Sequence, residues 1–261
     1  MANEFVSKLF GLDGQVAVVI GGTGVLGGAL CDGLAAAGAF VVVAGRGAER
    51  GKARVEAIKE AGGDAAFLPV DVMSRDSLEK LLGKVVDAHG GCHMLVNCFG
   101  VNSATPYHEI EDAEFSRVIA INLDCTHIAC QIFGKFMGAT EEGGSILNIG
   151  SVSAHLPLSR VFAYSASKAA VVNYTKNIAR EFASANVRVN CLCPGFFPAE
   201  QNRKILDESR VESILCKTPM YRFGEPEELV GAALLLLSRE AGSFMTGATV
   251  YVDGGFTGMS I

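Results

Sequence analysis

The sequence predicts an α/β fold, a doubly wound parallel sheet of about seven strands with helices on both faces, held in a single domain over residues 1–261. Three observations predict it. Seven short runs are rich in β-branched residues, and each is almost continuously apolar rather than alternating, as a strand buried on both faces must be. A stretch of helical periodicity follows most of these runs, which is the rhythm of strand, crossover helix and parallel strand. Finally, 49% hydrophobic and only 19% charged residues supply one extended core and leave little composition for disorder.

In order, the strand runs are "QVAVVI" (15–20), "FVVVAG" (40–45), "AAFLPV" (65–70), "HMLVNC" (93–98), "GSILNIG" (144–150), "VRVNCLC" (187–193) and "ATVYVD" (248–253). Helices are expected near 26–38, 48–61, 74–89, 112–137, 163–185 and 225–239. Residues 194–226 interrupt the rhythm with aromatic, proline and charged residues. So long a connection in a compact domain reads as a substrate lid, and it leaves the sheet at the carboxyl ends of the strands, where open parallel sheets bind ligands.

Twenty-two basic against 28 acidic residues give a formal charge of −6, with no basic cluster, which argues against nucleic acid and anionic membranes as partners. No apolar run is long enough for a signal peptide or a membrane span, so a cytoplasmic protein with a small-molecule substrate is expected. Eight cysteines are scattered through apolar segments without a CxxC pair or histidines at ligand spacing, so reduced buried thiols and no metal site are expected.

After the first strand, Gly22, Gly24 and Gly27 form GxGxxG ahead of a helix, within the turn Gly22, Thr23, Gly24, Val25 and Leu26. Glycine there permits a sharp turn and close backbone approach, so that a pyrophosphate can meet the free N–H groups of the helix start. Enzymes that bind S-adenosylmethionine use similar turns, and a merely structural turn is the other reading, but the position between first strand and first helix favours a Rossmann-type dinucleotide binder. The second strand ends with no acid to accept from an NAD ribose and with Arg46 instead, which pairs with a 2′-phosphate; NADP is therefore favoured, with NAD as the alternative. Asp71, at the end of the third strand, is placed to accept from the adenine amino group.

Ser151 follows the fifth strand, and Tyr164 and Lys168 begin the next helix, four residues apart on one face. A free tyrosine, with a pKa near ~10, is a poor base at neutral pH, and an ammonium one turn away favours its phenolate. All three groups can converge at the carboxyl edge of the sheet.

With "DV" at 71–72, "NCFG" at 97–100, "INL" around Asn122, Ser151, "YSASK" at 164–168, "PG" at 194–195 and "VDGG" at 252–255 in this order, the chain resembles the short-chain dehydrogenase/reductase (SDR) family over nearly its whole length. The resemblance implies hydride transfer between a nicotinamide and a carbonyl or secondary alcohol. Tyr164 would then be the general acid/base, and Lys168 would also hold the nicotinamide ribose. Ser151 would bind the substrate oxygen, and Asn122 would anchor a proton relay to the lysine. It also implies that Val72, Asn97, Gly100, Pro194 and Gly195 border the cofactor, and that the chain assembles as a homotetramer. Local strings such as "TPMYRFGEPEELVGAALLL" look most like the D-mannonate oxidoreductase, fructuronate reductase and gluconate 5-dehydrogenase branch, which implies a keto sugar acid or related polyol as substrate. Arg160, Arg203 and Lys204 are candidate carboxylate partners, and His155, Gln201 and Asn202 candidate hydroxyl partners. Phe196, Phe197, Met220 and Phe223 leave open a 3-oxoacyl thioester or hydrophobic ketone, and a non-catalytic dinucleotide sensor is the alternative from another class.

Overall fold

In the computed structural model, which describes residues 2–197 and 208–258, the strands are β1 (Val16–Ile20), β2 (Phe40–Gly45), β3 (Asp64–Pro69), β4 (Met94–Asn97), β5 (Gly144–Ile149), β6 (Val187–Pro194) and β7 (Thr249–Val252). They form one sheet in the order β3-β2-β1-β4-β5-β6-β7, every neighbouring pair parallel. The order reverses between β1 and β4, so the helices that follow these strands leave on opposite faces and open a crevice at their carboxyl ends.

Alternate residues of each inner strand feed two core layers, which is why the runs read as continuously apolar. Val19, Val41, Val43, Val96 and Leu147 meet α2 (Val25–Ala36), α3 (Ala48–Glu60) and α9 (Val230–Leu237). Val18, Ile20, Val42, Leu95 and Ile146 meet α4 (Arg75–His89) and α6 (Cys125–Gly138) on the other face, around the fully buried Phe133. Helix α4 starts where Ser74 accepts the Ser77 N–H and stops at Gly90, whose φ of 76° suits a residue without a side chain.

Three features depart from the expected elements. An amphipathic helix α1 (Ala2–Phe10) precedes β1, and its Leu9 carbonyl accepts from the Ser238 hydroxyl just past α9. The long segment 112–137 is divided into α5 (Asp112–Ile119), a π turn (Ala120–Asp124) and α6. The expected lid holds a helix, α8 (Glu208–Lys217), which buries Ile214. Helix α7 (Phe162–Phe182) follows β5. Among the described residues no helix is long and apolar enough to cross a membrane, and no group of His, Cys, Asp and Glu could hold a metal ion.

His93, just before β4, accepts the Val16 N–H on Nδ1 at 2.9 Å and sits 3.6 Å from Glu142, which is itself paired with Arg239. Burial holds the proton affinity of His93 below the ordinary value of 6.5; Arg239 adds to this and Glu142 opposes it. A lowered folded pKa means that the unfolded chain takes the proton first, so stability is full above about pH 6.5 and declines as the pH falls toward the folded value. Urea unfolding midpoints measured across this window are expected to fall for the wild type and to fall less for His93→Gln.

Candidate active site

The crevice beyond β1 and β4 holds two cavities. One, of about 620 Å³, is lined by Gly24–Gly27, Cys98–Asn102, Ser151, Tyr164, Lys168, Gly195, Phe196 and Arg210, among others. The second, of about 250 Å³, runs past Thr23, Arg46, Arg50, Asp71 and Val72. They share Gly24 and Cys98–Val101, so together they form one groove across the switch point.

Backbone packing dictates the glycine turn. Gly21 has φ 92°, and a Cβ there would lie 2.2 Å from the Cys98 carbonyl oxygen; one on Gly27 would lie 2.3 Å from the Gly21 oxygen. These contacts bring β1, α2 and the end of β4 within reach of each other. Gly24 caps α2 in an extended conformation without a side-chain hydrogen bond, so the first N–H groups of that helix remain available to an anion. Burial pushes the Cys98 thiol up to about 11, with Lys168 pulling the other way, and it therefore borders the groove uncharged.

The chemistry-bearing side chains sit where β5 hands over to α7. Lys168 is 4% exposed, and its Nζ donates to the Ile149 carbonyl at 2.7 Å and lies 5.7 Å from the centre of the Tyr164 ring. The Ser151 oxygen accepts both the Ser153 N–H (3.1 Å) and the Ser153 hydroxyl (3.0 Å). With both lone pairs engaged, its own O–H is left for a partner in the cleft. Asn122 is fully buried in the π turn: Oδ1 accepts from the Val101 N–H at 2.8 Å, and Nδ2 donates to the Val101 carbonyl and the Ser167 hydroxyl, each at 2.9 Å. Ser167 in turn donates to the Tyr164 carbonyl at 2.7 Å, so one amide joins the loop after β4 to the turn that carries Tyr164 and Lys168. Gly100 leaves room for this arrangement, because a Cβ there would meet Asn122 Oδ1 at 3.0 Å and Lys168 Nζ at 3.6 Å.

Several expected residues stand elsewhere. The Asn97 side chain is 3% exposed and donates to Asn148 Oδ1 at 2.9 Å inside the sheet layer, with Asn148 passing on to Thr175; it braces the end of β4 and lines neither cavity. Pro194 is buried at the end of β6 and lines neither cavity, whereas Gly195 does line the cleft. Asp71 lines the outer cavity but also accepts the Met73 N–H at 3.0 Å, while the cap of α4 is Ser74. His155 is exposed with its ring 5.9 Å from that of Tyr251, and neither it nor the exposed Arg160 lines the cleft. Gln201, Asn202, Arg203 and Lys204 lie outside the described residues. Two cations that sequence reasoning passed over line the groove: Arg50, in the first turn of α3 and lining the same cavity as Arg46, and Arg210 on α8. The four-residue spacing of Arg46 and Arg50 was the available signal for the first.

Residues 24–257 match the family model described as enoyl-(acyl carrier protein) reductase. The chain is 37% identical to the uncharacterized oxidoreductase UxuB of Bacillus subtilis, over 95% of this chain and 97% of that one. To the 5-keto-D-gluconate 5-reductase of Escherichia coli it is 31% identical, over 96% and 98%. A gluconate 5-dehydrogenase from Burkholderia cenocepacia, solved in complex with NADP and tartrate, superposes with a TM-score of 0.91 at 30% identity, covering 98% of this chain and all of that one. Matches that span the chain from the glycine turn to beyond β7, around a groove walled by tyrosine, lysine and serine, show that it belongs to the short-chain dehydrogenase/reductase family of oxidoreductases.

Proposed function

We propose that the protein interconverts a keto sugar acid and its hydroxy acid, with NADP as hydride carrier. The observation that carries this reading is that Ser151, Tyr164 and Lys168 wall the same cleft as the glycine start of α2. The printed activities of the relatives, on keto-gluconate and gluconate, support the substrate class.

The residues present fit a dinucleotide. The uncapped start of α2 suits a pyrophosphate, and Arg46 and Arg50 beside Thr23 suit a 2′-phosphate, with Asp71 and Val72 bordering the adenine. Lys168 and Gly195, which line the inner cavity, would border the nicotinamide end. When bound, the reduced nicotinamide supplies the hydride for the carbonyl carbon. Ser151 holds the carbonyl oxygen with its O–H and stabilises the charge that grows there. Tyr164 Oη gives that oxygen a proton, and the Lys168 cation offsets the charge left on the phenol; in oxidation Tyr164 takes the proton back. A water anchored at Asn122 and relaying protons to Lys168 belongs to the same proposal.

A second reading has one observation in its favour. A chamber of about 610 Å³ adjoins the cleft, with Leu156, Pro157, Leu158, Phe196, Ile214 and Phe256 in its walls, and it would accept the chain of an acyl thioester or a hydrophobic ketone. We further propose a cytoplasmic homotetramer. Eight free cysteines support a reducing compartment. The edge strand β7, half-exposed along its length, supports pairing with a second copy, to be checked by light scattering.

With NADPH and a panel of keto sugar acids and 3-oxoacyl thioesters, oxidation of the nicotinamide is expected with the former, and turnover of thioesters alone would overturn the substrate assignment. Tyr164→Phe is expected to lower kcat by ~10²–10⁴-fold while NADPH still binds, a loss measured in single-turnover experiments. Arg46→Ala is expected to raise the KM for NADPH about 10- to 100-fold and that for NADH far less, as judged by the ratio of kcat/KM for the two nucleotides. Gly27→Ala drives a methyl group into the Gly21 carbonyl, and fluorescence titration is expected to show NADPH affinity reduced by more than about tenfold.

A further inference from the structure

The described walls of the cleft carry very few charges. Among its described lining residues only Lys168 and Arg210 are charged, and no carboxylate lines it. Lys168 is committed to the Ile149 carbonyl and to its neighbour Tyr164. Arg210 comes from the other side, on α8. The orientation of that helix is set by Ile214, 7% exposed, and Thr218, 5% exposed, whose hydroxyl donates to the Ile214 carbonyl at 2.8 Å. Residues four apart lie on one helical face, so burying Ile214 turns Arg210 toward the cleft.

Arg210 is half-buried and donates from Nη2 to the Ser159 carbonyl at 3.2 Å. That bond fixes the guanidinium against the segment leading from Ser151 to Tyr164 while engaging only one of its five N–H groups. Its neighbours along the wall are Leu158, Phe196 and Ile214, an apolar surround that strengthens attraction for an anion.

We propose that Arg210 binds the carboxylate of the substrate and thereby sets the preference of the enzyme for keto acids over neutral carbonyls. This rests on the sugar-acid reading above and assigns to α8 the recognition that the sequence suggested for Arg160 and Arg203. With Ser151 and Tyr164 holding the reacting oxygen and Arg210 holding the acid, a substrate is fixed at two points and presents one carbonyl to the nicotinamide.

The test compares kcat/KM for 5-keto-D-gluconate and D-fructuronate with that for the methyl ester of whichever acid is turned over faster, in wild type, Arg210→Gln and Arg210→Lys. NADPH affinity and melting temperature are measured alongside to register any loss of fold. Arg210→Gln is expected to lower kcat/KM for the acid about 30- to 1,000-fold, mostly through KM, while the ester loses far less. Arg210→Lys should recover part of the loss, because it keeps the charge without the fork. A wild type that prefers the acid and a glutamine variant that keeps that preference would overturn the role of Arg210 alone. Equal losses on acid and ester would overturn it too, as marking a merely structural residue. A wild type that turns over neither acid removes the sugar-acid reading and this inference with it.

Discussion

A buried ammonium at the end of the central sheet organises this molecule. Lys168 lies almost wholly out of water, where an unpaired charge would be costly, and the Ile149 carbonyl at 2.7 Å offsets part of that cost. The carbonyl belongs to the last residue of β5, so the bond ties α7 to the centre of the sheet. Tyr164, one turn earlier, and Ser151, two residues past Ile149, are held in place by the two elements that this bond joins. Asn122 fastens the same turn from the opposite side through Ser167 and couples it to the loop after β4 that borders the cofactor groove.

The chain as a whole is acidic, yet its groove gathers cations: Arg46 and Arg50 at one end, Lys168 in the middle and Arg210 at the other, with Asp71 as the acid among the described lining residues. Net charge therefore describes the outer surface, which keeps polyanions away, while a local positive strip suits small anions that fit inside. A phosphorylated nucleotide and an organic acid are both of that kind.

The sheet was legible because its inner strands are buried on both faces, and no polar alternation obscures runs such as 40–45 or 187–193. The pairing of Tyr164 with Lys168 was legible because its spacing is local, with both residues on one turn. What failed to show depends on distant partners. Asn97 was assigned to the cofactor from its neighbours in sequence, but its side chain answers to Asn148 and Cys130, on other elements. Helix α8 is short, charged and anchored chiefly by Ile214, so its pattern does not stand out from a loop, and with it Arg210 was missed. The π turn puts the apolar periodicity of 112–137 out of phase by a single residue, which leaves the run looking like one continuous helix.

The π turn also sets the phase of the helix that follows it. A π turn holds one residue more than the same length of regular helix, and that residue is accommodated as a bulge rather than by turning everything beyond it. Here the bulge faces Asn122 inward while α6 still packs Ala129, Cys130, Phe133 and Met137 against the sheet. With one residue fewer the segment would close into a regular helix, and either Asn122 would turn away from Val101 and Ser167 or the Phe133 face would turn away from the sheet, so the bulge is what lets one helical run serve both partners.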